Sequence, residues 1–121
     1  MSKSILVVDD SKAIRQSLQF VLEQSGYTVA AAVDGIDGLD KVGSQEFDLI
    51  ITDINMPNLD GIGFIKRVRE MDKAKFVPII VLTTESQSSI MEEGKKSGAT
   101  GWIVKPFSND KLIETVKKVI G

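Results

Sequence analysis

The chain contains no cysteine and no histidine among its 121 residues. Without cysteine there are no disulfides, no thiol nucleophile and no thiolate metal site. Without histidine there is no imidazole base, no Ser-His-Asp triad and no histidine-ligated zinc. Any chemistry of this chain must therefore use carboxylates, hydroxyls, lysine and, where a metal takes part, a hard cation.

Strong net charge and long apolar runs are also missing. Lys and Arg number 15, Asp and Glu number 17, and the net charge is -2, so no electrostatic argument favours nucleic acid as the main partner. No stretch approaches the roughly 20 apolar residues of a membrane span, and the apolar run 5–8 is too short for a secretory signal. We therefore expect a cytoplasmic protein that binds neither nucleic acid nor membrane.

The remaining composition is ordinary for a globular protein. Hydrophobic residues make up 42% of the chain and charged residues 26%, as in typical soluble domains. The length fits one domain of roughly 100–200 residues, and there is no linker, repeat or low-complexity stretch. We expect a single domain over residues 1–121.

Five short apolar runs indicate buried β-strands, and helical patterns separate and follow them. Most runs are continuous, which is typical of strands covered on both faces in a parallel sheet. Ser11 and Ser108 are expected helix N-caps, and a weakly apolar fourth helix is expected over 86–97. This alternation predicts an α/β fold, a doubly wound five-stranded parallel sheet in the order 2-1-3-4-5 with helices on both faces. The expected strands are Ser4–Val8, Thr28–Ala32, Leu49–Thr52, 79–82 and Gly101–Val104.

Polar residues stand at the carboxyl ends of four of these strands, and only the second strand lacks one. Those ends share one edge of a doubly wound sheet, so the side chains are expected to converge. Each has an ordinary interpretation alone, as a helix cap, a turn, a backbone-bonded hydroxyl or a solvated lysine. Their conjunction favours one site. The residues are Asp9 and Asp10 after the first strand, Asp53 after the third, Thr83 and Thr84 after the fourth, and Lys105 after the fifth.

Three carboxylates at one edge would repel one another and raise one another's pKa values. A divalent cation relieves that repulsion, and oxygen ligands without histidine or cysteine favour Mg²⁺. Mg²⁺ often binds through one or two carboxylates plus a phosphate, whose oxygens the Lys105 charge and the Thr83 hydroxyl would suit. The pattern predicts a pocket that brings a phosphoryl group to a carboxylate.

Five motifs that contain these residues match a known family. They are residues 7–11 (VVDDS), 53–57 (DINMP), 60–61 (DG), 82–85 (LTTE) and 98–107 (GATGWIVKPF). The sequence resembles the receiver domains of bacterial two-component response regulators, most of all the single-domain chemotaxis regulators of the CheY type. The resemblance implies their flavodoxin-like fold.

The resemblance also implies a chemical role for the residues at the sheet edge. Asp53 would be the phosphoacceptor and form an aspartyl phosphate, with Thr83 bonding a phosphoryl oxygen and Lys105 pairing with the phosphoryl group. The Lys105-Pro106 peptide bond would be cis, as it often is in relatives.

The same resemblance implies a ligand set for Mg²⁺. Asp10 and Asp53 would bind the ion through their carboxylates, Asn55 through its backbone carbonyl, and Asp9 through a water molecule. Asn55 and Glu85 would line the path of the water that later hydrolyses the aspartyl phosphate, which implies a short-lived phosphorylated state.

A switch and an output surface are further implications of the resemblance. Thr83 would move toward the phosphoryl group, and the aromatic residue of the fifth strand would then rotate inward. That residue is Trp102, where relatives often carry Tyr or Phe, and half-buried sheet packing is its ordinary interpretation. The fourth helix, with Lys95 and Lys96, would face a partner, although a solvated helix fits as well. The implied switch and output residues are Thr84, Glu85, Lys95, Lys96 and Trp102.

The implied partners are a histidine kinase of the CheA type, an output protein such as the flagellar motor switch, and a phosphatase. A chain without histidine cannot carry the phosphohistidine itself, so the kinase must supply that imidazole. The sequence ends at Gly121 after the fifth helix, so output is expected from protein binding by a monomer. We do not expect an enzyme beyond assistance to its own phosphorylation and dephosphorylation.

Other functions fit parts of the pattern. A stand-alone receiver in a phosphorelay or a non-flagellar pathway would carry the same motifs. A Mg²⁺-dependent phosphohydrolase with an aspartate nucleophile would typically have a second aspartate as general acid where this chain has Asn55. A flavin- or nucleotide-binding protein would need a glycine-rich loop after the first strand, where Asp9 and Asp10 repel phosphate.

Overall fold

Strands and helices alternate along the chain in the computed structural model, which describes residues 2–121. None of the helices in that part of the chain is both long and apolar enough to cross a membrane. The strands are β1 Ser4–Val8, β2 Thr28–Ala32, β3 Leu49–Thr52, β4 Ile79–Thr83 and β5 Gly101–Val104. The helices are α1 Lys12–Gln24, α2 Gly35–Ser44, α3 Gly61–Arg69, α4 Ser88–Ser97 and α5 Asn109–Ile120, with a short 3-10 helix at Asp72–Ala74.

The strands form one parallel sheet in the order β2-β1-β3-β4-β5, which confirms the predicted fold. β1 lies beside β3, with Val8 in register with Thr52, and β4 lies beside β5, with Thr83 in register with Val104. The residues that follow these pairs therefore leave the sheet side by side at one edge.

Two hydrophobic layers cover the sheet, one on each face. Leu6, Ile50 and Val81 pack with residues of α2 and α3, whereas Ile5, Ile51 and Leu82 pack with residues of α1 and α5. Consecutive strand residues point to opposite faces, so a strand with helices on both sides needs apolar residues at every position. This explains the continuous apolar runs in the sequence.

Helix ends follow the sequence signals in three places and depart from them in one. Ser11 and Ser108 accept backbone N–H bonds at the starts of α1 and α5, and Gly26 takes the left-handed conformation just after α1. The prediction that α4 begins at Ser86 is wrong by two residues. The helix begins at Ser88 after an extended Gln87 that makes no side-chain cap bond, so no capping residue marks the boundary.

Candidate functional site

Three carboxylates converge where β1 and β3 end. Asp9, Asp10 and Asp53 each present an oxygen within 4.8 Å of the other two. Asp9 and Asp53 are buried, and Asp10 is exposed. The convergence predicted from the strand ends is therefore confirmed, and the cluster opens to solvent on the Asp10 side.

Lys105 joins two members of this cluster. Its Nζ donates to Asp9 Oδ2 at 2.9 Å and to Asp53 Oδ2 at 3.0 Å. The backbone N–H of Lys105 donates to the Thr83 carbonyl at 2.8 Å, and the Lys105-Pro106 bond is cis as predicted. Burial would lower the pKa of the ammonium, but the bonds and charges of the two carboxylates raise that pKa above its ordinary value.

Lys105 alone does not offset the charge of the three clustered carboxylates. Burial raises the pKa of the Asp9 carboxyl above its ordinary value, although bonds from the Ser11 N–H and from Lys105 oppose that rise. The charge of Asp53 raises the pKa of Asp9 further. Further positive charge at this edge would therefore stabilise the ionised carboxylates.

The oxygens of Asp53 have different partners. Oδ1 accepts the Ile54 N–H at 2.6 Å and the Asn55 N–H at 3.4 Å, while Oδ2 accepts from Lys105. Asn55 thus lies beside the cluster with an exposed side chain. The structure brings the residue to the site, and the metal-binding role of its carbonyl stays a prediction.

The donor atoms of this cluster suit Mg²⁺. All are oxygens, the carboxylates carry several negative charges, and the exposed side leaves space for the water ligands that Mg²⁺ usually keeps. Asp9, Asp10 and Asp53 are the residues that would hold the ion.

Thr83 and Thr84 occupy different environments although they are adjacent. The Thr83 side chain is fully buried, and its Oγ1 accepts the Glu85 N–H at 3.3 Å. Because the hydroxyl acts as acceptor in that bond, its own proton can still be donated. Thr84 is exposed and, with Lys105, lines a groove of about 430 Å³ against α1.

Trp102 is tied to the loop between β4 and α4. Its indole N–H donates to the Glu85 carbonyl at 3.0 Å, and its side chain is half-buried. A methyl group at Gly94 of α4 would lie 2.5 Å from the indole ring, so this glycine provides the space that the ring occupies. Glu85 therefore contacts both Thr83 and Trp102 through its backbone.

The two lysines of α4 are exposed. Lys95 borders a groove of about 400 Å³ that Trp102 and Met91 also line. The Lys96 Nζ lies 3.7 Å from Glu92 Oε1. Because both side chains are exposed, this ion pair contributes little to the stability of the fold. Trp102 and Lys95 therefore line the same surface groove.

Two residues near the site have no counterpart among the predicted site residues. Asp34 is buried two residues after β2 and accepts a bond of 2.7 Å from the Asn58 amide. Its carboxylate also accepts the Asp37 N–H at the start of α2, and that N–H and the Asn58 amide lower the pKa of Asp34. An Asp-Gly pair after an apolar run is typical of a helix start and could have indicated Asp34 as a helix cap. The bond between Asp34 and Asn58 depends on the folded loop, so the sequence gives no signal for it.

Sequence comparisons match the chain to a known protein family. The sequence profile of the response regulator receiver domain matches residues 5–117. The chain is 39% identical over 113 residues to the transcriptional regulatory protein DltR of Streptococcus agalactiae, which covers 93% of this chain but 50% of DltR. The chain thus spans about half the length of DltR and of several other curated relatives.

Solved structures show the same fold. The chemotaxis protein CheY4 of Vibrio cholerae superposes with a TM-score of 0.95 at 44% identity, covering 98% of this chain and 99% of CheY4. The receiver domain of sensor histidine kinase PA1611 from Pseudomonas aeruginosa has a TM-score of 0.92 at 28% identity, covering 100% of this chain and 99% of that domain. That structure has a magnesium ion coordinated in its active site cleft.

Proposed function

This chain belongs to the response regulator receiver domain family of two-component systems, and from that premise we propose that Asp53 accepts a phosphoryl group from a histidine kinase. The observation that carries the proposal is the arrangement around Asp53. One carboxylate oxygen lies 3.0 Å from Lys105 Nζ, and the carboxylate belongs to an oxygen-only cluster suited to Mg²⁺.

The chemical step is the transfer of a phosphoryl group from the kinase imidazole to an Asp53 carboxylate oxygen. A bond forms between an Asp53 oxygen and phosphorus as the phosphorus–nitrogen bond of the donor breaks, and the imidazole keeps the electron pair. Lys105 would offset charge on the phosphoryl oxygens, and the Thr83 hydroxyl would donate to one of them. Bound Mg²⁺ would supply further charge neutralisation, held by Asp9, Asp10 and Asp53.

Intact mass spectrometry tests this function. After incubation with Mg²⁺ and acetyl phosphate we expect a gain of one phosphoryl group, and we expect no gain when EDTA replaces Mg²⁺. Asp53→Asn should abolish the gain, because an amide is a poor nucleophile. Asp40→Asn, at an exposed position of α2, is the matched control and should behave as wild type. Equal labelling of Asp53→Asn and wild type would contradict the proposal.

The similarity to CheY4 over nearly its whole length supports chemotaxis as the pathway. The donor would then be a kinase of the CheA type, the output partner a component of the flagellar motor switch, and a phosphatase would remove the signal. We place this signalling in the cytoplasm and assign it to a monomer. The likeness to DltR supports a receiver in a different pathway as the second candidate.

Deletion of the gene separates these two pathways. Cells that lack the chain should keep their flagella and lose the ability to change swimming direction. Unchanged direction reversals in the deletion strain would contradict the chemotaxis assignment and favour the second candidate. Light scattering of the purified protein would test the monomer.

Trp102 is expected to report phosphorylation, because it is the only tryptophan of the chain and contacts Glu85, which also bonds Thr83. When Thr83 moves toward a phosphoryl group, the bonds around Glu85 should change and alter the indole environment. We expect a change in fluorescence intensity upon addition of Mg²⁺ and acetyl phosphate that Asp53→Asn lacks. Constant intensity and quenching in the phosphorylated protein would contradict the switch role.

A further inference from the structure

The loop between β3 and α3, residues 53–60, is held at two points. At its base the Gly61 N–H donates to the Ile54 carbonyl at 2.8 Å. Farther along the loop, the Asn58 amide donates at 2.7 Å to Asp34, which follows β2 in a distant part of the sequence. Residues 55–57 lie between Ile54 at the base and the anchored Asn58.

The Asp34 anchor is itself fixed by α2. Its Oδ1 accepts the Asp37 N–H at 2.8 Å, and Asp37 Oδ2 in turn accepts the Val33 N–H at 3.0 Å. These two bonds are similar to a capping box, which fixes the first turn of a helix, except that Asp37 accepts from Val33, the residue before the N-cap Asp34. The remaining oxygen of Asp34 is therefore presented to Asn58 from a rigid position.

The Asn58 end of the bond is constrained as well. Asn58 has a φ of 69°, and it is the only non-glycine residue with positive φ among residues 2–121. Asparagine tolerates that left-handed conformation better than most residues. A methyl group at Gly35 would lie 2.6 Å from the Leu59 carbonyl oxygen, so the start of α2 is in direct contact with the loop.

These contacts bear on Asp53 through Asn55. The Ile54 N–H lies at the anchored base and bonds Asp53 Oδ1 at 2.6 Å, whereas the Asn55 N–H lies within the held stretch and reaches the same oxygen at 3.4 Å. The longer bond is near the limit for hydrogen bonding, so a small shift of the stretch would break it. A change at Asn58 should therefore affect Asn55 before it affects Ile54.

We infer that Asp34 and Asn58 are positioning residues for phosphorylation, because their bond holds the β3–α3 loop so that Asn55 contacts the Asp53 carboxylate. The inference rests on the proposed role of Asp53 as phosphoacceptor. The side-chain hydrogen bonds of both residues lie outside the carboxylate cluster, so both act through the backbone of Asn55.

An exchange of donor and acceptor tests the inference. Asn58→Asp places a carboxylate against the Asp34 carboxylate, so the bond is lost although Asp also tolerates positive φ. Asp34→Asn keeps an oxygen for the helix cap. In the double variant Asp34→Asn/Asn58→Asp, the amide and the carboxylate have changed places and the bond can form again. Gln45→Glu, which adds one negative charge at the exposed C-terminal end of α2, controls for the change in net charge.

Amide NMR and phosphorylation kinetics give two independent readouts. In Asn58→Asp we expect the Asn55 amide resonance to move toward that of an unbonded amide while Ile54 changes little. We expect the rate of phosphorylation by acetyl phosphate to fall about 10-fold, as for other residues that orient a site from outside it. Both quantities should return toward wild type in the double variant, and Gln45→Glu should change neither.

Urea unfolding of each variant separates positioning from loss of structure. The inference is overturned if Asn58→Asp leaves the Asn55 resonance and the rate unchanged, or if the double variant stays as slow as the single one. It is also overturned if the rate falls only in proportion to unfolded protein. Failure of the proposed function looks different, because wild type would then take no phosphoryl group at Asp53 while the Asn55 resonance would still report the bond.

Discussion

Lys105→Met is expected to slow phosphorylation of the protein by about 100-fold, the lower end of the loss seen when one preorganised electrostatic group is removed from a reaction site. The Lys105 ammonium lies 2.9 Å from Asp9 Oδ2 and 3.0 Å from Asp53 Oδ2. It is thus a side-chain cation that already bonds the carboxylate proposed to receive the phosphoryl group. Methionine keeps an unbranched side chain of similar length and removes the charge.

The Mg²⁺ affinity of the variant distinguishes this effect from loss of the metal. Removal of a neighbouring positive charge should strengthen binding of Mg²⁺ to the carboxylates, so the slow rate should persist at saturating Mg²⁺. Calorimetric titration and time-resolved intact mass give the two quantities. Lys118→Met, at an exposed position of α5, is the control. A rate within a few-fold of wild type would show that Lys105 has no electrostatic role in the reaction.

Gly61→Ala is expected to destabilise the fold and displace the phosphoacceptor at the same time. A methyl group there would lie 2.1 Å from the Asp53 carbonyl oxygen and 2.7 Å from the Ile54 Cα. Both are backbone atoms beside a buried strand, so neither can move without moving Asp53. Overpacking of this kind costs about 1–3 kcal/mol and at times more, and we expect at least the upper end of that range.

Urea unfolding and the phosphorylation rate measure the two parts of this effect. Gly43→Ala is the matched control, because the nearest atom to its added methyl group is 4.0 Å away at the end of the Met71 side chain. That change in the last turns of α2 should stabilise the protein by about 0.5–1 kcal/mol, as alanine does relative to glycine within a helix. Equal stabilities of Gly61→Ala and Gly43→Ala would contradict the close contact at Gly61.

The fold was predictable because burial on both faces leaves a strong trace in the sequence. The continuous apolar runs mark β1, β2, β3 and β5 at the bounds that the structure has, and β4 extends one residue farther, through Thr83. The start of α4 was harder to place, because Gln87 makes no capping bond and the helix has few large apolar residues. A boundary without a cap or a strong hydrophobic stripe has little local signal.

The candidate site was predictable to the extent that strand ends determine it. Asp9, Asp53 and Lys105 follow strands directly, so parallel topology alone brings them together. The partner of the Trp102 indole is a backbone carbonyl, which any residue could offer, and only the folded β4–α4 loop identifies Glu85. The bond between Asp34 and Asn58 likewise joins two loops whose contact depends on the packing of α2.

Reductive trapping tests most directly whether Asp53 is the phosphoacceptor. Borohydride converts an aspartyl phosphate to homoserine, and peptide sequencing by mass spectrometry then locates the altered residue. After treatment with Mg²⁺ and acetyl phosphate we expect homoserine at position 53 and unmodified aspartate at Asp9 and Asp10. Homoserine at either of those positions, or at none of the three in a protein that has gained phosphoryl mass, would contradict the proposed function.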